Sequence, residues 1–267
     1  MKCKGKKSVF LLDRRLSKEA ISFSRRERGF MPVQVGVKTS VQDSVYQVLK
    51  DGIMTMKLVP GTAMSTKEMA ERLNVSRTPV REAFIRLHEE GLVEIIPQRE
   101  TLVSRLDMDR IREERFIRES LELAVLTPFM KHYRPGDEKV FLDCVAEQEL
   151  CQKEKRYADF LDSDNRMHHA FFTIAHRTLA WNTLQTVHGH DYRFRFLVIQ
   201  NEEIMAETIE QHKKIISYIK QGQKDLLYQE LAAHLRKVDY EWEDLAVKYP
   251  NYFKSEEQQG GLRIGSL

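Results

Sequence analysis

Cysteine is scarce in this chain: three among 267 residues (Cys3, Cys144 and Cys151), with no CxxC pair. That excludes a disulfide framework and fits a reducing cytoplasm. No apolar run approaches the roughly eighteen residues that a membrane-spanning helix needs, and the "VFLL" near the N-terminus is too short for a signal-peptide core. Strand signals are also few. Val, Ile and Thr rarely alternate, and no fixed-period repeat is present. Catalytic signatures are missing as well: there is no G-x-S-x-G, no P-loop, no G-x-G-x-x-G and no HExxH.

The chain that remains is ordinary in bulk, 42% hydrophobic and 31% charged, and long enough for one large or two modest domains. Its net charge of +3 is unevenly spread. Residues 1–38 hold 11 Lys/Arg against 3 Asp/Glu, and the rest holds 32 against 37. The basic leader reads as a disordered extension, or as a start placed too early with Met31 as the true beginning; a nucleic-acid-binding arm is the competing reading.

Apolar residues recur mostly at three and four, so the expected fold class is mainly α. Residues 40–55 read as a helix with Val41, Val45, Val48 and Leu49 on one face, and "LVPGTAM" as a turn. In "STKEMAERLN" Ser65 is an N-cap with Glu68 at capping-box spacing. "RTPVREAFIRLHEEG" is a second helix. Pro79 sits in its first turn, Val80, Ala83, Phe84 and Leu87 form its stripe, and Gly91 stops it. "LVEII-PQRE-TLVSRL" reads as two strands around a charged turn. Helices are then expected near 107–132 (kinked at Pro128), 137–155, 157–176, 180–200, 202–221 and 223–247. The organisation is a leader (1–38), a small domain (39–104), an all-helical domain (107–247) and a loose tail (248–267).

Three helices and a two-stranded wing describe a winged helix-turn-helix, whose recognition helix enters the DNA major groove by its N-terminal end. Ser76, Arg77, Thr78 and Arg81 crowd that end. Hydroxyls and a helix N-terminus suit phosphate oxygens, and an arginine can bind guanine bidentately. Gln98 and Arg99 lie on the wing, and Lys67 starts the preceding helix. Against this, residues 39–104 carry 8 Lys/Arg and 9 Asp/Glu, so the spacing and not the charge carries the reading. The segment "PGTAMSTKEMAERLNVSRTPVREAFIRLHEEGLVEI" resembles the winged-helix domain of GntR-family bacterial transcription regulators. The likeness implies DNA contacts at Lys67, Ser76, Arg77, Thr78, Arg81, Gln98 and Arg99. It departs at Glu100, where many members have a wing-tip glycine.

Asp164 and His168 are spaced i, i+4 and share a helix face. His212 and His234 sit on two further helices. One carboxylate and three imidazoles form a borderline-soft set suited to zinc, nickel or another divalent transition ion. The plain alternative is nine histidines scattered over a histidine-rich chain. Residues 107–245 resemble the FCD effector domain of one GntR subfamily, through Arg118 to Glu122 ("RESLE"), Asp164 to His168, Asn182, His212 and His234, with Met167 where an aromatic is usual. The resemblance implies a divalent metal held by Asp164, His168, His212 and His234, and a small carboxylate effector. A carboxylate wants an arginine. Arg118 matches a family position near the pocket, and Arg193 and Arg195 are weaker candidates that read equally well as a solvated face. "FRF", with Phe194 and Phe196, reads as core packing. The expected protein is a homodimeric, effector-responsive regulator of palindromic double-stranded DNA, not an enzyme. Two alternatives remain, a metal-dependent hydrolase and a DNA-binding scaffold without effector.

Overall fold

The computed structural model describes residues 40–236 and 242–255. The basic leader and the last dozen residues of the expected tail lie outside the described residues. Helix α1 (Val41–Met54) begins at Ser40, whose hydroxyl accepts the Asp43 amide at 3.1 Å. It buries Val45, Leu49 and Ile53, whereas Val41 stays exposed. Strand β1 (Ala63–Met64) follows, then α2 (Thr66–Leu73), capped by Ser65 through the Glu68 amide at 3.1 Å. Helix α3 (Arg77–Glu89) buries Val80, Ala83, Phe84 and Leu87. It ends in a Schellman turn: Gly91 N–H donates to His88 O, and Leu92 N–H to Leu87 O. Gly91 has φ +73, and a Cβ there would run into the Arg110 guanidinium.

The wing is β2 (Val93–Ile96) and β3 (Glu100–Val103), paired antiparallel from Val93↔Val103 to Ile96↔Glu100. β1 adds to the other edge of β3, so the "LVPGTAM" turn contains a strand that a two-residue stretch cannot announce. The left-handed residue at the wing tip is Gln98, with φ 60, while Glu100 sits in paired strand.

The bundle comprises α4 (Met108–His132), α5 (Glu138–Glu154), α6 (Tyr157–Ile174), α7 (Thr178–Thr186), α8 (Gly189–Val198), α9 (Glu202–Lys220), α10 (Lys224–Arg236) and α11 (Trp242–Lys248). α4 runs on through Pro128 to His132. Phe129, Phe141 and Phe171, with centroids 4.8 to 5.9 Å apart, fill the far end of the core. The single helix expected over 180–200 is two, because α8 restarts on a buried carboxylate. Glu114 of α4 accepts the His190 and Asp191 amides, both at 2.8 Å, which neutralises the exposed donors of the new N-terminus.

The expected loose tail from 248 is packed up to residue 253. After the 3-10 turn Pro250–Tyr252, Phe253 lies beside Leu106 of the interdomain linker in a parallel bridge. Leu106 N–H donates to Tyr252 O at 2.7 Å and Lys254 N–H to Leu106 O at 2.9 Å. Phe253 joins Leu106, Ile111, Phe194, Leu197 and Leu245 in one apolar cluster, which places Phe194 in the core as its sequence suggested.

Candidate metal centre and ligand pocket

Helix α6 presents Asp164 and His168 on one face, α9 brings His212 and α10 brings His234. One ligand atom from each lies within 4.8 Å of the others. Asp164 Oδ1 is 3.7 Å from His168 Nε2 and 3.4 Å from His212 Nε2; His168 Nε2 and His234 Nε2 face each other at 3.2 Å. The remaining nitrogen of each ring meets an oxygen. His168 Nδ1 touches a Glu122 carboxylate oxygen, His212 Nδ1 is 2.8 Å from Gln148 Oε1, and His234 Nδ1 is 3.2 Å from Gln211 Oε1. His212 Nε2 is buried with no hydrogen-bond partner.

The residues fit a divalent ion. Oxygen acceptors at all three Nδ1 atoms leave the Nε2 atoms as lone pairs, and two lone pairs at 3.2 Å repel unless a cation lies among them. Protonation agrees. Burial acts to raise Asp164, but the surrounding imidazole and guanidinium groups, His168 and Arg195 foremost, outweigh it and hold it well below the usual carboxylate range. Burial pushes His212 down to about 4 and His234 well below 6.5. For Asp164, His212 and His234 these are the states that ligation requires, an ionised carboxylate and neutral imidazoles.

Beside this set lies a pocket walled by Phe160, Leu161, Ile199 and Leu235 and charged by Arg115, Arg118 and Arg195. The guanidiniums are held by carboxylates. Arg115 reaches Asp191 at 3.1 Å, Arg195 reaches Asp164 at 2.9 Å and Asp191 at 3.1 Å, and Arg118 reaches Glu122 at 2.6 Å. Burial works against Glu122, yet Arg118 and His168 bring it down to about 2.

Of the three arginines singled out from sequence, Arg118 and Arg195 reach the pocket and Arg193 does not. Two residues along a helix turn a side chain to nearly the opposite side. The Arg193 guanidinium therefore donates to Gly189 O at 3.1 Å and Ser104 O at 2.7 Å, at the base of the wing. It is fully buried rather than on a solvated face, and burial lowers it to about 10. Arg115 escaped notice inside "REERFIRES", which reads as a solvated run; its signal is the i, i+3, i+7 stripe with Arg118 and Glu122, all three buried. Asn182, part of the FCD-like pattern, stands exposed on α7, and Met167 is fully buried.

In the winged domain Lys67, Ser76, Arg77, Thr78, Arg81, Gln98 and Arg99 are all exposed. Ser76 is the N-cap residue of α3, but its side chain makes no capping bond.

Known proteins share this architecture. Residues 41–103 match the bacterial regulatory proteins of the gntR family, and residues 115–237 match the FCD domain. An HTH-type transcriptional regulator of Streptomyces ambofaciens is 30% identical over 223 residues, covering 84% of this chain and 93% of that protein. The chain belongs to the GntR family. The HTH-type transcriptional repressor RspR of Escherichia coli K12 is 28% identical over 223 residues, covering 84% of this chain and 98% of that protein. Among solved structures, E. coli McbR/YncC has a TM-score of 0.63 at 22% identity, over 80% of this chain and 99% of that one. A Rhodococcus GntR regulator has a TM-score of 0.64 at 20% identity, over 81% of this chain and all of that one. As a GntR-family protein with an FCD domain, the chain is a bacterial DNA-binding transcription regulator. Among the described residues no helix is long and apolar enough to cross a membrane.

Proposed function

We propose that this GntR regulator is a cytoplasmic, homodimeric repressor that senses a small carboxylate beside a bound divalent metal. The observation that carries the reading is the meeting of Asp164, His168, His212 and His234 next to three buried guanidiniums. Zinc suits the three-imidazole, one-carboxylate set, with nickel the alternative. An incoming organic or sugar acid would compete with Asp164 and Asp191 for Arg115, Arg118 and Arg195. That competition favours binding over hydrolysis, because the carboxylates nearest the site, Glu122 and Asp191, are already engaged by arginines and offer no free general base.

Helix α8 supports a route to DNA. One face gives Asp191 and Arg195 to the pocket. The other gives Arg193 to Ser104 O and His190 to the junction, where His190 Nε2 is 3.1 Å from Gly91 O and His190 Nδ1 accepts the Asp107 amide at 3.3 Å. A ligand that pulls on the first face biases the second, and a differential affinity of about 1–3 kcal/mol is enough for a measurable coupling. In the winged domain Ser76, Arg77, Thr78 and Arg81 would enter the major groove, Lys67 would reach phosphate, and Gln98 and Arg99 would meet the adjoining backbone, in two copies on a palindromic operator. The name of RspR supports repression.

The test is a thermal-shift screen of small carboxylic and sugar acids, with and without prior chelation. One acid class should raise the midpoint by several degrees, and chelation should abolish the rise. No shift with any acid, in zinc-loaded and chelated protein alike, would sink the sensor reading.

A further inference from the structure

Each candidate ligand imidazole has a partner on its far side, and two of the three partners are glutamines. Gln148 projects from α5 and is fully buried. Its Oε1 meets His212 Nδ1 at 2.8 Å, and its Nε2 is buried with no hydrogen-bond partner. A buried amide that forgoes two donor bonds to spend its oxygen on one ring is costly for stability alone. Gln211 stands next to His212 on α9 and reaches across to α10, where its Oε1 lies 3.2 Å from His234 Nδ1. Glu122, from α4, takes His168 Nδ1. The three partners come from three helices, and none of them belongs to the ligand set.

A neutral imidazole carries one proton. If that proton is on Nδ1, Nε2 is free to ligate; if it is on Nε2, the ring cannot serve. A carboxylate such as Glu122 only accepts, so it forces the first tautomer. A glutamine can present either its oxygen or its NH2, so its orientation decides the tautomer. Both glutamines present oxygen here. We infer that Gln148 and Gln211 are positioning residues of the four-ligand site, holding the Nδ1 protons of His212 and His234 so that both Nε2 atoms point at Asp164 and His168 as metal ligands. The inference rests on the metal reading of this site. It adds that a site built from one carboxylate and two amide partners owes a large part of its affinity to residues that never touch the ion, as is general for histidine ligands.

The experiment uses the full chain, zinc alone as the probe, and competition against a chromophoric chelator. Gln148→Leu and Gln211→Leu should each weaken zinc by about 10- to 100-fold. Gln148→Glu, which can only accept, should keep zinc at wild-type strength or tighter. A nitrogen-detected NMR spectrum of the metal-free protein should show His212 protonated at Nδ1 in the wild type and at Nε2 in Gln148→Leu. A structural role alone would not move that signature. Gln211 is only partly buried, so its variant tests the inference even if Gln148→Leu does not fold. If wild-type protein fails to bind zinc or nickel, the metal reading itself falls. If the wild type binds and both leucine variants bind equally well with unchanged tautomers, the metal reading stands and the positioning role is overturned.

Discussion

At the scale of single residues, burial sets the protonation of four histidines. Burial pushes His188 and His212 down to about 4 and His190 and His234 well below the usual 6.5. Each of these rings binds its proton more readily in the unfolded chain than in the folded one. Their contribution to stability is therefore complete above pH 6.5 and is lost as pH falls toward 4. His190 makes the cost concrete: its Nδ1 accepts the Asp107 amide at 3.3 Å, and a protonated ring cannot accept. In metal-free protein the melting temperature should fall steadily between pH 6.5 and 4. A midpoint that stays flat or rises over that interval would contradict the neutral, buried assignment. Residue-scale features were only half legible. Asp164 and His168 announce themselves by their spacing. Arg115, Gln148 and Gln211 do not, because nothing in the chain's local pattern separates a buried polar side chain from a solvated one.

At the scale of elements, the informative pieces are those that join the winged domain to the bundle. The linker, residues 104–107, is gripped from two sides. Arg193 of α8 takes the Ser104 carbonyl, and the segment after α11 pairs with Leu106 while Lys254 Nζ reaches Asp107 at 3.1 Å. Phe253, 7% exposed, anchors that segment. Truncation of a buried phenylalanine costs about 3–5 kcal/mol where it is spread through a core. Here the loss should fall locally, on the linker. Phe253→Ala should let trypsin cut at the exposed Arg105 at least several-fold faster, with Ser163 and the aromatic core of the bundle keeping their hydrogen-exchange protection. Equal cutting rates in the two proteins would show that the linker is held without the segment. Long periodic helices such as α5, α6 and α9 were legible to within about two residues, in keeping with the usual end uncertainty. The break before α8 was not, since it depends on Glu114, 75 positions upstream of Gly189, reaching two amides.

At the scale of the whole molecule, α7 carries no charged side chain and the exposed face of α4 is uncharged from Phe116 to Thr127. Phe116 is 69% and Leu179 79% exposed, and Ser120, Ala124, Thr127 and Thr183 continue the same uncharged surface. Helix α7 touches α4 along part of its length. Exposed apolar area of this kind fits a self-complementary contact between two copies, with two winged domains placed on one operator. Sedimentation of the wild type should report a dimer. Phe116→Asp combined with Leu179→Asp should give a folded monomer that binds operator DNA at least tenfold more weakly. A double variant that sediments as a dimer would place the contact elsewhere.

What the sequence determined by itself was everything that depends on neighbours along the chain. Helical periodicity, the Ser65 cap, the Gly91 stop, the recognition-helix pattern at Ser76 to Arg81 and the i, i+4 pair on α6 all follow from spacing, because local backbone geometry sets which side chains share a face. The tertiary structure decided what depends on groups far apart in the chain. It brought α6, α9 and α10 together so that the four candidate ligands meet, turned Arg193 toward the wing and Arg195 toward the pocket, and started α8 on a distant carboxylate. It also folded Phe253 back onto Leu106. These choices are made by burial, where a polar group must find a partner from whatever element packs against it, and that partner has no fixed place in the sequence.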